Sequence, residues 1–550
     1  MLELNKITEI TENDVYEIAI RLAAGRWGGA MNNPGAVAAV TTDVPITDSD
    51  VAEFMADIFE DRIHYNGAQG WFEWDGTVHQ RDMTDTLGVA LAVRYARALT
   101  KVMDAVLGEI SRWQVQADKD RAMKLVGPVA EYLKRIKNNN GMRGLVSSLR
   151  DVFTVDNNYF DRDHMWAVMR DGRVIHLAKS LGYGKLVIEE PSPARPVTRK
   201  LGISVDEDVS GRPERFLHYL RATVSSDEEI TYLQTAAGAA LLGEGTAKNI
   251  PHLVGPPHTF KSVYLATLDE VFGDYAGTLP ATALVARYGG GTNFAQSRAR
   301  GVRFLWLSEP QTTRTDDAFL KNLSGGGEPI NTEEKGKDSV AWRAQCVLHI
   351  AANHIVKFDS RDTAIVSRMN IVEFKNQVKE ENIIPNLHEE LVDHEGDQIF
   401  MWILEGAMKY AADNVIKVPA IIRDRGQDHV VESSPVLRWL QEMFADGELV
   451  RLERQVKAQM VKERDAWAKF EQWCFENMEQ KRINKRDWLT EIYAYLGIPK
   501  HVASATSPVK NPDKVKVVYG IGDPALMVGE NDLGLGPLDG PVSWGEMNGK

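Results

Sequence analysis

The sequence predicts an α/β protein with a central parallel sheet, and three observations carry that prediction. Residues 249–263 read NIPHLVGPPHTFKSV, an apolar strand, a Gly-Pro-Pro turn and a helix opening at Lys261-Ser262. From there to about Phe374, strands alternate with helices and Gly-rich loops. Residues 303–310, RFLWLSEP, form a second apolar strand that ends on an acid, 48 residues beyond Lys261.

At 550 residues the chain has room for roughly three or four domains. Its 43% hydrophobic and 26% charged residues fit a soluble globular protein. No apolar run approaches the roughly 20 residues that span a bilayer, so no membrane partner is expected. The opening MLELNKITEITEND is acidic and polar, unlike a signal peptide. Cys346 and Cys474 are too far apart for a zinc or disulfide framework, which implies a reducing, cytoplasmic location. A net charge of −14 excludes a passively basic nucleic-acid coat and confines any DNA contact to a small surface.

The elements follow in order. Residues 1–46 read as an N-terminal arm with one helical stretch (Asp14 to Ala24) and the flexible GRWGGAMNNPGAVAAV. TDSDVAEFMADIFEDR is an amphipathic helix capped by Thr47 or Asp48. WFEWDGTVHQRD makes two strands around Asp75-Gly76. A long helical stretch from about Thr84 to Lys137 ends at a turn, Asn138-Asn139-Asn140-Gly141. FDRDHMWAVMRDGRVIHL is another hairpin, around Asp171-Gly172, and EEPSPARPVTRK a Pro-rich linker. Glu228 to Leu242 is a helix leading into the 249–254 strand, and 383–415 is helical. VPAIIRDRGQD reads as a linker, Val436–Asn477 as helix-rich, and the Gly/Pro/Asp-rich tail beyond Lys510 as loosely ordered.

The chemistry starts at the turn. A strand, a glycine turn and a helix N-terminus aim backbone N–H groups at an anion, which is how G-x-x-x-x-G-K-[ST] loops hold phosphates. Here the loop is Gly255, Pro256, Pro257, His258, Thr259, Phe260, Lys261, Ser262 and Val263. Lysine supplies charge to β/γ phosphates and serine a hydroxyl for Mg²⁺. Phe260 stands where the second glycine belongs, a conformational cost of roughly 1–2 kcal/mol. Pro256-Pro257 are expected to rigidify the loop and offset part of that cost.

Such a loop needs a second strand with an acid for Mg²⁺ or water, and Glu309 ends RFLWLSEP. A buried strand ending in a surface glutamate explains Glu309 equally well. DDAFLKNLSGGGEPINTEEKGKDSVAWRAQ places Lys321 on a short helix, then Gly325, Gly326 and Gly327, then a hairpin tipped by Lys335-Gly336-Lys337. Two lysines on a glycine turn suit a phosphate-gripping loop, and an ordinary solvated turn explains most such pairs. CVLHIAAN ends in Asn353, where a residue sensing γ-phosphate would sit, and DTAIVSRMNIVEF puts Arg368 before a further strand.

In order and approximate spacing, these features resemble superfamily 3 helicases, the helicase part of the phage, plasmid and poxvirus primase–helicases. TDSDVAEFMADIFEDRIHYNGAQGWFEWDG and FDRDHMWAVMRDGRVIHL resemble the hairpin segments of that family's helicase-associated domain. ITYLQTAAGAALLGEG, FGDYAGTL, RFLWLSE, FLKNLSGGGEPI, IAANHIV and LVDHEGDQIFMWILEGAMKYAADN are similar to successive parts of its core.

The resemblance implies an α/β, AAA+-like P-loop NTPase core with a central parallel sheet (226–420). A mainly helical helicase-associated domain (47–225) would precede it. A helical or winged-helix-like module (421–510) and a tail (511–550) would follow. It implies ATP and Mg²⁺ as cofactors, Lys261 and Ser262 on phosphate and metal, Glu309 as the acidic catalytic and metal residue and Asn353 as sensor. Arg368 would be the finger reaching into the neighbouring subunit, and Lys335 and Lys337 would track single-stranded DNA in a ring's channel. The implied partners are single-stranded or forked DNA, further copies of the chain in a hexamer, and a separate primase or other replisome protein. The setting would be the host cytoplasm if the element is a phage. In the C-terminal module Lys481, Arg482, Lys485 and Arg486 suit either a DNA-facing patch or a solvated helix face. Two rival readings stand beside the helicase: another AAA+ DNA motor or loader, and a nucleotide-independent DNA-binding replication scaffold with a decayed loop.

Overall fold

The structure, a computed structural model, describes residues 47–112, 114–243, 247–285, 294–310, 315–325, 328–332, 340–356, 362–452, 459–479, 483–498 and 517–526. The expected N-terminal arm lies outside them. The described residues begin with α1 (Asp48–Ile58), whose cap is Thr47, one of the two expected candidates, in a reciprocal pairing with Asp50. Strands β1 (Ile63–Asn66), β2 (Gly70–Trp74) and β3 (His79–Arg81) follow, with β2 and β3 flanking Asp75-Gly76 as expected. The long helical stretch divides into α2 (Leu87–Arg112) and α3 (Gln116–Ile136). The stretch ends at the Asn run as expected, but the run itself opens a further helix instead of a turn. Asn138 accepts a hydrogen bond from Gly141 N at 2.8 Å and caps α4 (Asn139–Val152), an N-terminal role asparagine shares with turns. Strand β4 (Thr154–Val155) closes the first sheet in the order β3-β2-β1-β4.

The second hairpin, β5 (Trp166–Val168) and β6 (Val174–His176), pairs around Asp171-Gly172 as expected. Helix α5 (Leu177–Tyr183) and β7 (Ile188–Glu189) extend it. The Pro-rich segment after β7 is held in place, which corrects its reading as a linker. Arg195 pairs with Glu189 at 2.5 Å and lies over the Trp166 ring, and Lys200 bridges to Val168.

The apolar residues gather in several cores, one of which joins Val78 to Val168, Val174 and Val197. Residues 51–153 bury their own cluster around Trp71, Tyr95 and Leu149. The second hairpin buries Ala167, Met169 and Ile175 in the same cluster as the large sheet. Arg303 ties the two, donating to Leu241 O and Trp166 O, both at 2.8 Å.

Helices α6 (Glu214–Thr223) and α7 (Asp227–Leu241) lead to β8 (Ile250–Val254) and α8 (Lys261–Phe272). Then come β9 (Ala276–Thr278), β10 (Phe304–Ser308), α9 (Asp317–Gly325), the hairpin arms β11 (Ile330–Thr332) and β12 (Val340–Trp342), and β13 (Val347–Ala352). Short α10 (Thr363–Val366) and β14 (Met369–Glu373) complete the sheet. Its five strands are all parallel, in the order β14-β8-β13-β10-β9. The expected mixed α/β class with a central parallel sheet is therefore present. Every strand's carboxyl end faces one edge, where ligands of such sheets collect.

Helix α11 (Leu387–Asp413) packs on α7. A Cβ on Gly238 would stand 2.0 Å from Ala407 N, and one on Gly406 2.0 Å from Gln234 O, so glycine lets the two backbones touch. The expected 418–428 linker is helix α12 (Ala420–Ser433), since Ile422 is fully buried and Arg425 pairs with the buried Glu229. The C-terminal module holds α13 (Pro435–Ala445), β15 (Val450–Arg451), β16 (Met460–Lys462), α14 (Glu463–Glu476), α15 (Lys485–Tyr495) and β17 (Val517–Gly522). Its strands order as β15-β17-β16, so a strand from beyond Lys510 is the centre of this sheet, not loose tail. Both cysteines are buried and free, and no described helix is long and apolar enough to cross a membrane.

Candidate functional site

The loop between β8 and α8 sits at the carboxyl edge of the sheet. Gly255 is there because nothing larger fits: a Cβ would stand 2.0 Å from Phe374 O. The chain then runs through exposed Pro256, Pro257 and His258 to buried Thr259 and Phe260. His258 and Phe260 both take positive φ, +60° and +70°.

Phe260 resolves its own anomaly. It adopts the left-handed conformation glycine would supply, at roughly 1–2 kcal/mol. The residue is only 7% exposed, its ring stacked on Tyr219 at 5.5 Å and 6.1 Å from Phe216, both on α6. Burying a phenylalanine contributes about 1.5–3 kcal/mol, enough to offset the strain. An aromatic socket on α6 therefore supplies compensation that the expectation placed on Pro256-Pro257 did not include.

Lys261 is folded back onto this loop. Its Nζ donates to Gly255 O (2.6 Å), Pro256 O (2.7 Å) and Thr259 Oγ1 (3.0 Å), and Thr259 Oγ1 in turn donates to Pro256 O at 2.8 Å. Burial pulls its ammonium below the ordinary lysine range, and the Glu309 charge opposes that shift. The first turn of α8 leaves N–H groups that no intrahelical carbonyl can reach. With the helix dipole and Lys261 they form an arrangement able to bind an anion.

The strand order brings the other candidates alongside. Register pairs Val254 with Ala352 and Ala351 with Ser308, so Gly255, Asn353 and Glu309 line one edge. Two strand spacings, roughly 10 Å, separate the β8 end from Glu309. Glu309 is exposed, with φ +47°, and its N–H donates to Ala351 O at 2.8 Å. Ser262 and Glu309 are exposed oxygen-bearing side chains near this edge, of the kind that could hold Mg²⁺ alongside phosphate and water. Among the described residues, no cluster of three or more His, Cys, Asp or Glu could hold a metal ion alone.

Arg368 is elsewhere. It immediately precedes β14, whose Met369 pairs with Ile250 at the amino end of β8, so it lies at the opposite edge from Lys261. Its guanidinium donates to Ala364 O, and burial holds it below the ordinary arginine range against the pull of Asp362. Lys321 of α9 pairs with that same Asp362 at 2.8 Å. Lys335 and Lys337 lie outside the described residues, although the arms that would carry them pair from Ile330↔Trp342 to Thr332↔Val340.

The site also includes groups that motif reading missed. The segment after β14 straps the loop: Phe374 N donates to Val254 O and Val378 N to His258 O, both at 2.8 Å. Lys375 N and Asn376 Nδ2 fasten the strap to Thr223 O and Ala222 O at the end of α6. Tyr219 and the strap lie outside the strand–loop–helix pattern, and only the aromatic spacing of FLHYL hints at them.

No family model matches the chain, and no curated protein does. Among solved structures the chain is similar to "The A form apo structure of NrS-1 C terminal region-CTR", at 17% identity and a TM-score of 0.33, covering 55% of this chain and 67% of that one. "The apo structure of NrS-1 C terminal region (305-718)" matches at 15% identity and a TM-score of 0.32, with the chain spanning 64% of its length.

Proposed function

We propose that the chain is an ATP-dependent, ring-forming DNA helicase of a phage- or plasmid-type replication system. One observation supports this reading above the others: a lysine-bearing loop, an amide and a carboxylate end adjacent parallel strands at one edge. In this reading the loop N–H groups and Lys261 hold the phosphates, and Ser262 and Glu309 orient Mg²⁺, which neutralises charge on the transferring phosphoryl group. Glu309 also orders the attacking water, and Asn353 lies between it and the loop, placed to sense γ-phosphate. Arg368, too far away to serve its own loop, acts on the next protomer's nucleotide. Hydrolysis then depends on assembly, and the hairpin bearing Lys335 and Lys337 moves single-stranded DNA.

A second reading is favoured by Lys261 itself, whose three donor positions are all taken by its own loop. If that knot is permanent, the loop binds no nucleotide and the chain is a DNA-binding scaffold. ATP hydrolysis with and without single-stranded DNA, wild type beside Lys261→Ala, decides between them. DNA-stimulated turnover that the variant loses supports the helicase. No turnover from folded, assembled wild type leaves the scaffold.

A further inference from the structure

The acidity of this chain is unevenly spread. The span of α2 to α4, residues 87–152, holds twelve Lys and Arg against six Asp and Glu. It carries a net +6, so the remaining residues sum to −20 against the whole chain's −14. Such asymmetry marks a place where a polyanion can dock on an otherwise repelling surface.

The geometry gathers part of this charge in a groove. A cleft of about 470 Å³ is lined by Val93, Ala96, Arg97, Thr100, Lys101 and Lys137, with Met142 beside them. Arg97, Lys101 and Lys137 are exposed at its rim, while Val93, Ala96 and Met142 give it an apolar floor. A second cleft of about 430 Å³ is lined by Arg135, Asn138, Asn139, Asn140 and Gly141, next to Lys137 in the chain and at the start of α4. There exposed amides and the positive end of a 14-residue helix add hydrogen-bond donors. Arg135 at this end is already matched by Asp48 at 2.6 Å, so the groove's charge is assigned to Arg97 and Lys137.

We infer that this groove binds the backbone of single-stranded nucleic acid, as a second contact separate from the ATP-site edge and the hairpin. A groove between neighbouring helices admits one sugar–phosphate strand with bases against an apolar floor. A duplex roughly 20 Å wide does not enter it. Nothing in this binding requires nucleotide, so the inference stands or falls apart from the ATPase reading.

The test is fluorescence anisotropy of a labelled 30-nucleotide single strand with the full chain, without nucleotide, from 50 to 200 mM salt. Arg97→Glu/Lys137→Glu is compared with wild type and with Arg464→Glu/Lys417→Glu, a charge-matched control elsewhere. All four side chains are exposed, so thermal midpoints should stay together. Loss of two phosphate contacts lowers the slope of log K against log salt by about 1.4 and weakens binding roughly tenfold, in the groove variant only. Equal affinity and slope in wild type and groove variant would overturn the inference. So would a duplex that outcompetes the single strand for the groove, or complete loss of binding in Lys335→Ala/Lys337→Ala with none in the groove variant.

Discussion

The ring of Phe260 stacks on that of Tyr219, 5.5 Å away with planes 20° apart, joining the end of the loop to α6. This contact, and not a glycine, sustains the left-handed turn from which Lys261 starts α8.

Replacing Phe260 by alanine should therefore cost more than the motif suggests. The variant keeps the strained φ and forfeits a buried ring, for about 3 kcal/mol. Phe260→Gly relieves roughly 1 kcal/mol of strain and should lose only about 2. Urea denaturation of both variants checks the order. If glycine proves more stable than wild type, the aromatic socket contributes nothing.

Arg425 is the second place where the loop's surroundings depend on a distant helix. It pairs with Glu229, fully buried in the first turn of α7, and at 3.2 Å with Glu373 at the end of β14. Arg425→Met would leave Glu229 without its cation, a loss of about 3–5 kcal/mol, whereas Arg425→Met/Glu229→Leu should recover most of it. Thermal melts of the single and double variants test this, and additive losses would exclude the pairing.

How much of this was legible in the sequence follows from which residues act locally. The Thr47 cap, the Asp75-Gly76 and Asp171-Gly172 hairpins, and the β8 loop all rest on residues a few positions apart, and their patterns were readable. The Asn138 run was misread because asparagine serves turns and helix caps alike. Residues 418–428 looked like a linker because they hold Pro419 and Gly426, yet proline is tolerated at a helix start and the partners that fix α12 are almost 200 positions away. Val517–Gly522 looked like tail because its strand partners lie in β15 and β16. The loop, Asn353 and Glu309 could be ordered along the chain, but only strand pairing places them on one edge.

Two histidines make the sheet sensitive to acid. Burial holds His252 on β8 down at about 3 and His349 on β13 at about 4, and both lie fully inside. Below the ordinary histidine value of 6.5 the unfolded chain binds protons that the folded chain refuses. Stability is thus full above about 6.5 and falls toward pH 4, by up to about 1.4 kcal/mol per pH unit for each histidine. Glu73 works oppositely. Burial pushes it up to about 7, so its contribution is lost as pH rises through that value. His252→Leu leaves Glu73 and His349 untouched and should flatten the acid limb by about one proton. Urea midpoints from pH 7 to 4.5 with an unchanged slope would contradict this.

The separation of Lys261 and Arg368 makes the strongest prediction about assembly. They occupy opposite edges of a sheet whose strand β8 runs five residues, roughly 16 Å, so one protomer cannot bring both to a single phosphate. In a ring, each site would take its loop from one protomer and its arginine from the next. Lys261→Ala should lose nucleotide binding together with turnover, whereas Arg368→Ala should keep binding and lose roughly 10³-fold or more in rate. Mixed in equal amounts and reassembled, the two inactive variants rebuild roughly a quarter of the interfaces with both groups intact. Turnover should then return, up to about that fraction of wild type. Rings that form from the mixture yet remain inactive would remove Arg368 from the neighbouring site and, with it, the reason for hydrolysis to require a ring.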